Sequence, residues 1–234
     1  ARWWAVDPLA EKYYSLTPYN YVANNPLVFV DPNGTYISPI FDKNGNYLGV
    51  DNEGFSGNII IFNDPSKFRK GIKHEEAIKI GTFFNNNSKL SNEAKSKIFK
   101  KIMIDTEFPD GTKLKENEFD VKYEYHNTAN AYYNGIEEGK HSITINMSEY
   151  DLTVENIRTE TVHEIWGHGI KKYGDKTNSH HKCYFAEIDS KYWNETTKQF
   201  KESTLKKMWK YYYNEVGYKP LPTKYNIEYK KYIK

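Results

Sequence analysis

The hydrophobic pattern of this chain changes character part-way along, and that change bounds its fold. Up to about residue 63 apolar residues come in short runs broken by turn residues, whereas from Lys73 they recur mainly at helical spacing. No run exceeds strand length, Ile59-Ile60-Ile61-Phe62 being typical, so a membrane span of about 18 or more apolar residues is excluded. The single cysteine, Cys183, rules out an intrachain disulfide and a four-cysteine zinc site. With 234 residues, 38% hydrophobic and 27% charged, the chain suits one large folded domain or two small ones. A net charge of +2 argues against a protein that coats nucleic acid wholesale.

Prolines at 8, 18, 26 and 32 forbid a long helix over residues 1–34, which read as an irregular arm ending in the turn Asp31-Pro32-Asn33-Gly34. Asn44-Gly45 between Ile40-Phe41 and Tyr47-Leu48 predicts a β-hairpin, followed by a strand at 59–62. Ala77, Ile80, Gly81 and Phe84 share one side of a short helix, and Ala94, Ile98 and Ile102 repeat the pattern behind a cap at Ser91. Alternation predicts strands at 121–125 and 141–147, and helices follow at about 153–166, 179–192 and 195–213, with a proline-bearing tail. The expectation is an α+β fold, a small sheet in the N-terminal half and a helical, zincin-like C-terminal half.

Asp7-Pro8-Leu9-Ala10-Glu11-Lys12-Tyr13, Ser15-Leu16-Thr17-Pro18-Tyr19-Asn20-Tyr21, Asn25-Pro26-Leu27 and Asp31-Pro32-Asn33-Gly34 resemble the end of an Rhs repeat-associated core domain. The resemblance covers residues 1–34. It implies that these are the remnant of a large Rhs shell and that residues 35–234 are the toxin module of a polymorphic toxin. It further implies a secreted effector delivered into a target cell in competition between bacteria, with a cognate immunity protein. The start Ala1-Arg2-Trp3-Trp4, with neither an initiator methionine nor a signal peptide, accords with a piece of a longer polypeptide exported by sequence outside it.

Four of the seven histidines lie between positions 163 and 181. His163 and His168 stand at i and i+5, about 140° apart on an α-helix and therefore unable to share a metal there. A π-type turn holds more than four residues and returns both to one face, and Gly167 and Gly169 ease that distortion. His163-Glu164-Ile165-Trp166-Gly167-His168 is similar to the motif of the dipeptidyl-peptidase III family. The resemblance implies that His163 and His168 bind Zn²⁺ and that Glu164 activates water. A further ligand is needed: His180 is the first choice and Glu187 the second, as ligand or as supporting partner. On this reading zinc lowers the pKa of water towards about 7, Glu164 takes its proton, and a peptide carbonyl is attacked. The strand at 142–147 would line the cleft and pair with extended substrate.

Simpler readings remain. Gly167-His168-Gly169 could be a helix end, and Glu164 could merely pair with His168. His74, His126 and His141 read as structural or surface residues, and Cys183 as a small buried side chain. From Lys198 onward ten lysines face three glutamates among seven tyrosines. This reads as an amphipathic helix burying Phe200, Leu205, Met208 and Tyr212, the alternative being a groove for nucleic acid. A metal-dependent nuclease toxin and a non-enzymatic binding module with a structural zinc are the competing functions.

Overall fold

A computed structural model describes residues 38–51, 55–124, 131–146 and 151–233, so the Rhs-like segment 1–34 and His126 lie outside the described residues. The fold is α+β. Its first sheet has the order β2-β1-β3-β4, built from β1 (Pro39–Asp42), β2 (Tyr47–Val50), β3 (Ile60–Phe62) and β4 (Thr82–Phe83). β1 and β2 form the hairpin expected from Asn44-Gly45, with the Asp42 carboxylate accepting the Asn44 and Asn46 backbone N–H groups at 2.8 and 2.9 Å. β1 then runs parallel to β3. Because both faces of β1 are covered, its residues are all buried, the apolar Pro39-Ile40-Phe41 and the turn-bonded Asp42 alike. Ile40 joins Ile60, Phe62, Ile72 and Ala77 in a small cluster, whereas Phe41 belongs to the main core.

The two helices that follow are shorter than their periodicity suggests. α1 (His74–Ile80) stops before Gly81, and the next residues become β4. α2 (Asn92–Met103) begins as expected: the Ser91 side chain accepts from the Ala94 N–H at 3.1 Å. His74, read as structural or surface, is half-buried and pairs with Asp51 at 2.7 Å.

The second sheet, β5 (Phe119–Tyr123), β6 (Ala131–Glu137) and β7 (Lys140–Ile145), has the order β5-β7-β6. β5 is parallel to β7, and β6 is antiparallel to it through the two-residue turn Glu138-Gly139, at φ 50° and 79°. The strand expected at 141–147 is therefore the middle one, paired on both sides, and among the described residues the edges are β5 and β6. This corrects the expectation that strand 142–147 could pair with a substrate.

The remaining chain is helical: α3 (Val154–Thr161), a π-helix over Val162–Ile170, α4 (His181–Asp189), α5 (Lys198–Val216) and α6 (Thr223–Tyr232). α5 buries Phe200, Leu205, Met208 and Tyr212 as its spacing predicts. α6 replaces the expected irregular tail, since Pro222 stands at its N-terminus, where a missing N–H costs nothing. No helix among the described residues is long and apolar enough to cross a membrane.

Candidate metal centre

α3 passes into the π-helix without a break, and the wider turn is visible in the Lys171 N–H bonding to the Trp166 carbonyl at 2.8 Å, five residues back. The imidazoles of His163 and His168 thereby reach one side, their ring centres 5.1 Å apart. Gly167 earns its place through close approach: a Cβ there would meet Cys183 Sγ at 2.6 Å and Cys183 Cα at 3.3 Å. At Gly169 a Cβ would meet the His141 ring at 2.9 Å. Both glycines are thus required by the packing of α4 and β7 on the widened helix, a tighter constraint than easy bending.

α4 supplies the opposing wall. His180 faces the pair with ring centres 5.3 Å from His163 and 4.7 Å from His168, and its Nε2 lies 3.2 Å from His163 Nε2. Zn–N bonds of about 2.0–2.1 Å in tetrahedral geometry set ligand nitrogens about 3.3 Å apart, so these two atoms already have the spacing of shared ligands. His180 stands at the N-cap of α4, and its side chain makes no capping bond. Instead the Glu215 carboxylate, from α5, accepts the His180 and His181 backbone N–H groups at 3.0 and 2.9 Å and contacts His181 Nδ1 at 2.6 Å. His181 is thereby turned away from the cluster. His180, Tyr184 and Glu187 share one face: Tyr184 stacks on His180, and its ring centre lies 4.5 Å from that of His163.

The other nitrogens of the two π-helix histidines are committed. His163 Nδ1 lies 2.5 Å from Glu187 Oε1, whose second oxygen accepts the Thr204 hydroxyl at 3.1 Å. His168 Nδ1 donates to the Tyr173 carbonyl at 2.6 Å. Lys172, in the left-handed region at φ 59°, turns the chain so that this carbonyl points back. Glu187 therefore sits behind His163, on the ring nitrogen opposite the one that faces His180.

Burial dominates the electrostatics. It pushes the His163 imidazole down to about 3 and the Glu187 carboxyl up to about 8, the latter against the Thr204 hydroxyl and Lys207. Both shifts favour the neutral forms of the two partners. Glu164 is held well above the ordinary carboxylate range, by burial first and then by Glu160 and Glu187, with the Tyr133 backbone N–H and Lys207 opposing. Its Oε2 is buried without a hydrogen-bond partner among the described residues. An unsatisfied buried carboxylate oxygen is costly and indicates a missing partner such as water or an ion.

Cys183, expected as a small buried side chain, is fully buried and also stands in a group with metal-binding capacity that the sequence reading did not include. His163, His168 and Cys183 form a group that could hold a metal ion, their ligand atoms lying within 4.8 Å of one another. Cys183 Sγ stands 3.8 and 4.0 Å from the two ring nitrogens of His168. Its only sequence signal is a position three residues after His180, meaningful once that helix is known to face the π-helix. All these groups except Cys183 open on a cavity of about 910 Å³, whose opposite wall is β6 with Ala131, Tyr132 and Tyr133. His141, by contrast, is engaged behind that wall with the Tyr133 hydroxyl at 2.9 Å. No known protein family, curated protein or solved structure matches the chain, so the site is read from its own geometry.

Proposed function

We propose that residues 35–234 are the toxin module of an Rhs-type polymorphic toxin and that this module is a zinc-dependent metallopeptidase. The observation that carries the chemistry is the widened helix. It sets two imidazoles five residues apart on one side, opposite His180, in a cavity that also holds the buried carboxylate Glu164. The delivery between bacteria, the remaining Rhs shell and a cognate immunity protein rest on the sequence of residues 1–34.

The donor set fits zinc. The Nε2 atoms of His163 and His180 stand at the spacing of shared ligands with the His168 ring beside both, and a borderline-soft cation prefers such nitrogen donors. His163, His168 and His180 are the proposed ligands; Glu187 and the Tyr173 carbonyl orient the first two from behind, as supporting groups of metal-bound histidines do. When bound, zinc supplies Lewis-acid activation of water and of a peptide carbonyl. Glu164 accepts the proton of the attacking water and passes it to the leaving amine, a role suited to a carboxyl whose pKa lies above its ordinary range. Tyr133, through its backbone N–H, holds that carboxylate against β6, and the edge that β6 forms among the described residues gives an extended peptide a place to lie.

A second reading has its own observation. Should Cys183 close the coordination shell, zinc would be structural and no position would remain for water. A tetrahedral site sets zinc-bound sulfur about 3.5 Å from a ligand nitrogen, and the observed 4.0 Å to His168 Nε2 is wider. Anomalous scattering at the zinc edge separates the readings: zinc on three histidines with an open fourth position is expected, and a sulfur at about 2.3 Å would overturn the hydrolase. Glu164→Gln should keep the metal while lowering peptide hydrolysis by about 10²–10⁴-fold. Undiminished hydrolysis would remove Glu164 from the role.

A further inference from the structure

The cavity segregates its charges. Carboxylates occupy its floor, with Glu164 and Glu187 buried and Glu160 half-buried; lysines stand around its mouth. Lys207 and Lys210 come from α5, three residues apart and so on one face of the helix. Lys172 and Lys176 come from the segment that follows the π-helix. Lys172, Lys176 and Lys210 are exposed, and Lys207 is half-buried, near enough to the floor to influence both His163 and Glu187. The whole chain is close to charge balance, 33 basic against 31 acidic residues, so four lysines at one opening are a local concentration.

We propose that this lysine rim selects substrates that carry a carboxylate, gripped by Lys207 and Lys210 while the neutral backbone beside it crosses the histidine cluster. The proposal rests on the hydrolase reading for the orientation of the substrate and adds its specificity. A single carboxylate can be held at the mouth without approaching the floor. A polynucleotide suits the cavity less well, because its charges repeat along the strand and would be driven against Glu160 and Glu164. The carboxylate can come from an acidic side chain or from the C-terminus of a peptide, and the chemistry at the lysines is the same.

Binding to the zinc-loaded Glu164→Gln protein tests this without turnover. Three peptides of one sequence are compared by calorimetry: one with a glutamate side chain and an amidated end, one with glutamine and a free carboxyl end, and one with glutamine and an amidated end. At least one carboxylate peptide should bind about tenfold or more tightly than the neutral one, and the gain should shrink with added salt. Which of the two gains identifies the source. The gain should vanish in Lys207→Gln/Lys210→Gln with zinc content unchanged. Should that variant misfold, Lys172→Gln/Lys176→Gln serves, with a smaller loss expected. Equal affinity for all three peptides, absence of binding, a gain indifferent to the lysine substitutions, or tighter binding of a single-stranded oligonucleotide would each overturn the proposal. A carboxylate preference in a protein that cleaves no peptide would sink the peptidase and leave the rim intact.

Discussion

α2 and the continuous helix formed by α3 and the π-turn pack against each other, start with the same kind of cap and bury a similar stripe, yet they are stocked differently. Behind Ser91, α2 buries Ala94, Ile98, Phe99, Ile102 and Met103, with Lys95 laying its stem inward and its ammonium over the Tyr123 ring. Behind Thr153, the other helix buries Glu155, Asn156, Thr159, Thr161, His163 and Glu164 beside its apolar residues. The apolar stripe keeps regular α-pitch. The polar one changes pitch where its histidines begin, and several of its buried polar groups find partners elsewhere: Glu155 at Gly57, Asn156 at Thr197, His163 at Glu187 and Glu164 at Tyr133. The difference teaches that α2 buries apolar shape and keeps its specific bonds, such as Lys100 to Asp120 and the Tyr123 N–H to the Ser96 hydroxyl, at its margin, whereas the other helix carries specific bonds within its buried stripe. Removing a residue should therefore have different consequences in each.

The largest contrast should come from His163→Ala and Ile98→Ala. The first removes a proposed ligand and strips the partner of Glu187, so zinc retention after desalting should be abolished. The second should cost about 2–5 kcal/mol in urea unfolding and leave zinc stoichiometry intact. A His163→Ala protein that still retains zinc at the native stoichiometry would show that the two helices differ in composition but not in purpose. Gly167→Ala should act next most strongly. Its Cβ would collide with Cys183, so a loss of about 10–100-fold in zinc affinity is expected, the scale seen when supporting contacts of a metal site are disturbed. Adding Cys183→Ala should restore part of that affinity by making room, and chelator competition would read the recovery. If sulfur is instead a ligand, the double variant should bind zinc more weakly than Gly167→Ala alone.

The same contrast explains what could be read in advance. The Asn44-Gly45 hairpin, the Ser91 cap and the stripe of α2 are local, set by residues within a few positions of one another. The widening at 162–170 was also legible, because two histidines five apart beside glycines can share a face in only one helical form. β6 was not: its residues are half-exposed, without clean alternation, and the signal lay in the turn Glu138-Gly139 rather than in the strand. The edge position of β6 follows from pairing, which no local pattern carries. Glu215 and Cys183 reach the centre only when α4 and α5 are packed, across 35 residues from His180 to Glu215 in the former case. α6 was hidden by prolines read as breakers when one of them begins a helix.

The smallest effect sets two glutamates against each other at the same helical position, two residues after the cap. Glu93 in α2 is exposed and pairs with Lys97, which holds its carboxyl below the usual range. Glu155 in α3 is buried, accepts the Gly57 N–H with both oxygens at 3.0 and 3.1 Å, and has its carboxyl raised by burial. A raised folded pKa gives a contribution that is fully present below the unfolded value near 4.5 and is lost as pH rises through the folded pKa. A lowered one gives the opposite, present above 4.5 and lost as pH falls. Glu155→Gln keeps an acceptor for Gly57 and removes the titration. Relative to the parent protein its urea midpoint should therefore be higher at pH 7 than at pH 4, whereas that of Glu93→Gln should be relatively lower at pH 7. Comparing each variant with its parent at each pH cancels what the histidine cluster contributes to both. Shifts of the same sign for the two variants would mean that burial does not distinguish these positions, and the contrast between the helices would then begin only at the π-turn.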